Sequence, residues 1–219
     1  MSDPISSVAA LAEPTRRRLY EYVVTLRRPV GRDEAAAALE LARGTVAFHL
    51  DKLVEEGLLA TVHERRSGRS GPGAGRPAKL YLRADQQVEV SLPGRRYDLA
   101  GALLAAAVEE SESSGRPVRD SLAACARATG LAIGAEAMAE GATDVVPVLG
   151  AHGYEPYADE GDIKLANCPF HDLAQEHTEL VCAMNLDLVC GVLDGLGDDP
   201  LRATLRPSQD HCCVVLTRA

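Results

Sequence analysis

Ala42-Arg43-Gly44-Thr45-Val46-Ala47-Phe48-His49-Leu50-Asp51-Lys52-Leu53-Val54-Glu55-Glu56-Gly57-Leu58-Leu59 is the stretch from which the fold is read. Val46, Leu50, Leu53 and Val54 recur at i, i+4, i+7 and i+8, the spacing that gathers apolar side chains on one face of a helix. Gly57 stands where such a helix ends on a left-handed residue. Arg43, Thr45, His49 and Lys52 are then expected on the opposite face. Side chains of these types reach phosphates and base edges when a helix enters the major groove of DNA.

Upstream, residues 5–26 carry Val8, Leu11, Leu19, Tyr22, Val23 and Leu26 at helical spacing, and Pro14 divides them into a short lead-in and a helix opening at Thr15. Residues 32–40 read as a second short, alanine-rich helix. Downstream, Leu59 to Glu64 and Ala78 to Leu82 alternate as strands do, around the polar tip Arg65-Arg66-Ser67-Gly68-Arg69-Ser70-Gly71-Pro72-Gly73-Ala74-Gly75-Arg76-Pro77. Residues 60–83 hold six basic side chains and one acid, Glu64. Each piece alone has a plain structural explanation, since glycine-arginine loops are often solvated linkers and a lone histidine is usually a surface or core group. Their order is what carries meaning: helix, helix and basic hairpin make a winged helix-turn-helix, with Arg65, Arg66, Arg69, Arg76 and Lys79 expected along the phosphate backbone.

Composition first points elsewhere. The chain has 219 residues, a net charge of −9 and 6 cysteines, and an acidic balance argues against nucleic acid. The charge is unevenly placed, however: residues 1–85 sum to +3 and residues 86–219 to −12, and all the cysteines lie in the acidic part. This asymmetry predicts a DNA-binding domain over 1–85, a polar linker over 86–96 and a second domain over 97–219. No apolar run approaches the roughly 18 to 20 residues of a membrane span, and the N-terminus lacks the basic and apolar segments of a signal peptide, so a cytoplasmic protein is expected.

In the second domain, Leu99, Ala100, Leu103, Leu104, Ala107 and Val108 give one helical stripe, and an alanine-rich helix is expected from about Pro117 to Met138. Ala123, Ala124, Ala128 and Gly134 are small enough for close helix approach, read here as favouring a dimer seam, because half-site readers double their contacts by two-fold symmetry. Tyr154 to Ala158 and Asp162 to Ala166 read as strands around Asp159-Glu160-Gly161. Pro169 suits the first turn of a helix capped by Cys168, residues 179–196 a further helix, and Leu201 to Leu205 and Cys212 to Leu216 two last strands. The fold class is α+β, an N-terminal winged helix-turn-helix followed by a cysteine-bearing sensor domain.

No C-x-x-C pair occurs, which removes the common zinc-knuckle and thioredoxin-like spacings. Thirteen residues separate Cys168 from Cys182, and twenty-nine separate Cys182 from Cys212. Thiolates scattered in sequence and gathered by a fold can ligate an iron-sulfur cluster, form a thiol-disulfide switch, or hold zinc or an arsenical. Cys168 or Cys182 with His171 as base can also be read as a nucleophilic pair of an enzyme, but no substrate pocket or phosphate loop accompanies it. Cys125 and Cys190 sit inside apolar helices, where a free cysteine packs as a small hydrophobe.

Residues 10–83 resemble the ArsR-like winged-helix repressors, through Ala10-Leu11-Ala12-Glu13-Pro14-Thr15-Arg16-Arg17-Arg18-Leu19, Thr45-Val46-Ala47-Phe48-His49-Leu50 and Gly75-Arg76-Pro77-Ala78-Lys79-Leu80-Tyr81. Asn167-Cys168-Pro169-Phe170-His171, Leu180-Val181-Cys182-Ala183-Met184-Asn185-Leu186, Gly191 with Gly195-Leu196-Gly197, and Cys212-Cys213-Val214 are similar to the sensor domain of the SufR iron-sulfur repressors within that group. The resemblance implies a 4Fe-4S cluster on Cys168, Cys182 and Cys212, with Cys213 as the alternative third ligand. A fourth ligand is left open among His171, His177, His211, Cys213 and an exogenous molecule. Adjacent strand residues face opposite ways, so only one of Cys212 and Cys213 is expected to point at the metal. It further implies a homodimeric repressor on a palindromic double-stranded operator near iron-sulfur or redox genes, with no catalytic residues, membrane or small-molecule substrate.

Overall fold

The computed structural model describes residues 3–64, 77–197, 200–208 and 210–218. The chain divides into two compact units, Met1–Val90 and Ser91–Ala219. Among the described residues no helix is long and apolar enough to cross a membrane.

The first unit is a winged helix-turn-helix. Helices α1 (Pro4–Ala10), α2 (Pro14–Leu26), α3 (Arg32–Leu39) and α4 (Arg43–Glu55) pack against a sheet of β1 (Val30–Gly31), β2 (Leu59–Glu64) and β3 (Ala78–Arg83), in the order β1-β3-β2. Both prolines expected to break the helical pattern instead open helices, as their fixed φ and missing N–H allow at a first turn: Pro4 starts α1 and Pro14 starts α2. The Glu13 carboxylate caps α2, accepting from the backbone N–H of Thr15 at 3.1 Å and of Arg16 at 2.6 Å. The apolar stripe of α4 is buried as its spacing predicts: Val46, Leu50 and Leu53 are inaccessible and pack with Leu19, Val23, Val30 and Ala35. Gly57 takes a φ of 72° and turns the chain into β2. β2 pairs antiparallel with β3 from Leu59↔Arg83 to Glu64↔Ala78. The two-residue β1, absent from the sequence reading, closes the sheet through Val30↔Tyr81 and Gly31↔Leu80.

The second unit is α+β. Helices α5 (Tyr97–Ser114), α6 (Val118–Ala139), α7 (Val145–Ala151), α8 (His171–Glu176) and α9 (Thr178–Leu196) accompany a four-stranded antiparallel sheet. Its strands are β4 (Pro156–Asp159), β5 (Asp162–Leu165), β6 (Leu201–Leu205) and β7 (Val214–Arg218), in the order β4-β5-β7-β6. One core joins the sheet to α7 and α9 through Val145, Leu149, Leu165, Val189, Val214 and Leu216. A second joins α5, α6 and α9 through Leu103, Ala107, Leu122, Ala126, Met184 and Leu188, with Phe170 fully buried in it. Cys168 packs against both cores.

Helices α6 and α9 meet backbone to backbone. A Cβ on Gly130 would strike the carbonyl oxygen of Leu188, one on Gly134 that of Val192, one on Gly191 that of Arg127, and one on Gly195 that of Leu131. Arg127 and Asp194 close the outer edge of this seam with an ion pair of 2.6 Å. Gly134 therefore serves packing within the chain, whereas the sequence reading favoured a dimer seam for it. Ala124 and Ala128 remain exposed on α6.

Two expectations about local structure are corrected. Helix α8 begins at His171 with Phe170 at its cap, so Cys168 and Pro169 lie in the preceding turn and not at a helix start. Strand β7 begins at Val214, so Cys212 and Cys213 stand in the bend before it. Strand alternation does not govern that pair, and both thiols line the same cavity.

The seam predicts opposite signs for two helical glycines. Gly191→Ala is expected to destabilise the chain by about 1–3 kcal/mol through overpacking. Gly101→Ala in α5, where nothing lies within 4 Å of the added carbon, is expected to stabilise it by up to about 1 kcal/mol through helix propensity. Urea unfolding of both variants checks this, and equal effects of one sign would remove the seam from its place in the fold.

Candidate functional site

The outer face of α4 carries Arg43, Gly44, Thr45, Phe48 and Glu55 in exposed positions. Arg43 is exposed and paired with Asp33 of α3 at 2.6 Å. Lys52 is held by Glu55 at 3.2 Å and Glu56 at 2.9 Å. Lys79 on β3 reaches back to Asp51 of α4 at 2.6 Å and lies 5.2 Å from the centre of the Tyr81 ring. The Tyr81 hydroxyl donates to the same Asp51 oxygen at 2.8 Å. Partial burial works to raise the Asp51 carboxyl, but these two hydrogen bonds outweigh it and hold the group below the usual carboxylate range. Burial, then Asp51, pushes the Tyr81 phenol well up. The reading helix and the wing strand are thus tied at one carboxylate.

His49 lies elsewhere than the sequence reading expected. Its side chain is only 13% exposed and turns toward Glu13, 3.6 Å away. Its ring meets Phe48 edge to face, centroids 5.2 Å apart at 69°. The place expected for His49 on the outer face is held by Phe48, a residue passed over because an aromatic in an amphipathic helix is ordinarily assigned to the core. Arg65, Arg66, Arg69 and Arg76 lie outside the described residues.

In the second unit, a cavity of about 450 Å³ is lined by Cys168, Cys182, Cys212 and Cys213, together with His171, His211 and Arg95. Four separate elements deliver the thiols: the turn after β5, the first turns of α9, and the bend before β7 for the last two. The thiols touch in series, Cys168 with Cys212, Cys212 with Cys213, and Cys213 with Cys182. The hydrogen bond to Cys212, followed by burial, pushes the Cys168 thiol far up. That same bond favours the Cys212 thiolate, but contact with Cys213 and burial outweigh it and Cys212 is pushed up to about 12. Cys182 is raised by burial, which its contact with Cys213 only partly offsets. All six cysteines are free thiols. His177 is not among the lining residues, and His171 Nε2 lies 2.8 Å from the Gln175 side-chain nitrogen.

Among the described residues no group of three or more His, Cys, Asp or Glu side chains is placed so as to hold a metal ion. The donor set nevertheless suits a polynuclear iron-sulfur group. Four soft donors share one cavity, and thiols that disfavour one another's ionisation lose their protons when a shared cation binds.

Two buried asparagines frame this cavity. Asn185, inaccessible in the middle of α9, donates from Nδ2 to Cys212 Sγ at 3.2 Å and accepts from the Tyr154 hydroxyl. Asn167 donates to the carbonyls of Gly94 at 2.8 Å and Gly153 at 2.6 Å and accepts from Arg95. The backbone N–H of Arg96 donates to Pro169 at 3.0 Å, so residues 94–96 are fastened to the cysteine turn. Of the remaining cysteines, Cys125 packs against the α5–α6–α9 core, whereas Cys190 is half-buried beside Arg127 rather than in the core.

The recognition helix, its exposed face and the paired wing strands define a helix-turn-helix DNA-binding regulator. A family model described as a helix-turn-helix domain matches residues 11–62, from α2 through β2. Neither a curated protein nor a solved structure matches the chain.

Two measurements follow from these contacts. Lys79→Ala should flatten the salt dependence of DNA binding by about one unit of log-log slope per lost phosphate contact, and Asp51→Asn, which releases Lys79, should steepen it. Unchanged slopes in both variants would remove β3 from the interface. For the sensor unit, Asn185→Leu leaves the buried Tyr154 hydroxyl without its acceptor and should cost about 1–3 kcal/mol. Tyr154→Phe should cost less when added to Asn185→Leu than alone, and additive losses in urea unfolding would count against the coupling.

Proposed function

We propose that the chain is a homodimeric repressor of the SufR type, which reads a palindromic operator through α4 and the wing and senses redox or iron-sulfur status through a cluster in the thiol-lined cavity. The observation that carries the reading is the gathering of Cys168, Cys182, Cys212 and Cys213, far apart in sequence, around one space. Cys168, Cys182 and one of the adjacent pair would hold a 4Fe-4S group, with the other of the pair, His171 or His211 near enough to complete it. When bound, such a group supplies thiolate-held iron that oxidants or nitric oxide can dismantle.

The remaining work falls to the chain. Cys168 stands between the two cores, Cys182 begins the long apolar stripe of α9, and Cys212 precedes the central strand β7. Ligation of all three joins helix, turn and strand, and release lets them separate. Asn167 and the Arg96 backbone bind residues 94–96 to the Cys168 turn. A shift of that turn therefore moves the chain at the point where it enters the sensor unit. Coupling to the operator requires only that ligand binding favour one arrangement over the other.

Iron and sulfide analysis after anaerobic purification tests this reading. Iron and sulfide are expected in the wild-type chain, lost with tight operator binding on exposure to air, and absent from Cys168→Ser and Cys182→Ser. Whichever of Cys212→Ser and Cys213→Ser loses iron names the third ligand. An anaerobically reconstituted chain free of iron sinks the proposal.

The contact between the Cys168 and Cys212 thiols favours a second reading, a thiol-disulfide switch in which an oxidant such as hydrogen peroxide removes two electrons and two protons to form the bond between them. Mass spectrometry of the oxidised, iron-free chain distinguishes it, since a Cys168–Cys212 crosslink that alone changes operator affinity belongs to the switch.

A further inference from the structure

Phe48 is a large apolar side chain, 65% exposed, on a helix whose other apolar residues are buried. Thr45 lies one turn before it and Lys52 one turn after, so it occupies the middle of the outward stripe of α4. Leaving an aromatic ring in water forgoes about 1.5–3 kcal/mol of burial, and nothing within the first unit covers it. Its direction is also set. The ring packs against His49, His49 faces Glu13, and Glu13 is fixed by capping α2. The scaffold therefore holds an apolar probe in one orientation at the centre of the surface that meets DNA.

The charged neighbours sharpen its role. Arg43, Lys52 and Lys79 are each bound to a carboxylate of the chain itself, so the outer face offers neutral chemistry at its centre, a hydroxyl at Thr45 and a ring at Phe48. In the major groove the apolar group on a base edge is the C5-methyl of thymine, and phenylalanine is among the side chains that make contact with it. We propose that Phe48 is the specificity-determining residue of α4 and reads the methyl group of one thymine in each half-site. The proposal rests on the helix-turn-helix reading of the first unit and is independent of what the cysteine cavity holds.

The test uses the full-length chain, once reconstituted anaerobically with iron and sulfide and once reduced and metal-free. Random-sequence duplexes are selected on each form, and every selected thymine is then replaced singly by deoxyuridine, which differs only in lacking the methyl. Removing the methyl that Phe48 covers should weaken binding about fourfold, the equivalent of one buried carbon, while the other replacements have little effect. Phe48→Ala should bind the thymine duplex more weakly by a similar factor and no longer distinguish thymine from uracil. Its thermal unfolding should match the wild type, as its exposure requires. A wild-type chain indifferent to every uracil, or a Phe48→Ala chain that keeps the discrimination, overturns the proposal. Binding that ignores the methyl but bends the duplex assigns Phe48 to wedging between base steps instead, and overturns it equally. Failure to select any sequence in either form overturns the DNA-reading function together with it.

Discussion

Backbone touches backbone where Gly130 and Gly134 of α6 meet Gly191 and Gly195 of α9, and the sensor unit is organised by that contact. Four side chains are omitted so that two helices can run closer than any pair bearing a Cβ at these positions. The gain is positional: α9 becomes the axis of the unit, with α5 and α6 on one side and the sheet on the other. Cys182 and Asn185 lie on the same helix, so their heights along it are set by the register of the glycines. A helix free to slide would carry the thiol past the cavity.

Around that axis, polar groups do what apolar packing cannot, which is to specify direction. Asn185 is inaccessible and satisfied on both ends, by Tyr154 and by the sulfur of Cys212. Asn167 spends its amide on two carbonyls and its oxygen on Arg95. A buried amide left unpaired is costly, so each asparagine admits few arrangements of its neighbours. Phe170, buried in the second core, anchors the far side of the same turn. Cys168 is thereby held from both flanks by residues adjacent to it in sequence.

Much of the fold was legible because periodicity reports burial. The Val46, Leu50, Leu53 stripe, the hairpin register and the bounds of α6 and α9 follow from spacing alone. What escaped did so for identifiable reasons. Strand β1 is two residues long and exists only through its partner β3, and α7 is a seven-residue turn of chain whose proline and glycine read as loop. The reading of Cys212 and Cys213 assumed a strand that starts two residues later. His49 and Phe48 exchanged places because helical spacing assigns faces and cannot say which neighbour a histidine will turn toward. Asn185 was visible only as part of a motif, since its role depends on Tyr154, thirty-one positions away. The cysteines were legible as a chemical type, and their convergence depended on long-range packing.

The acid partners of Arg43, Lys52 and Lys79 change how the molecule would search a genome. A cation already neutralised by its own chain adds little to the sequence-independent pull of the phosphate backbone, because a carboxylate travels with it toward the DNA. Non-specific sites vastly outnumber operators, and occupancy follows the ratio of the two affinities rather than either alone. A surface with restrained electrostatic grip lingers less on the wrong sequence. Discrimination then falls to the few contacts with base edges, which internal ion pairing leaves undiminished.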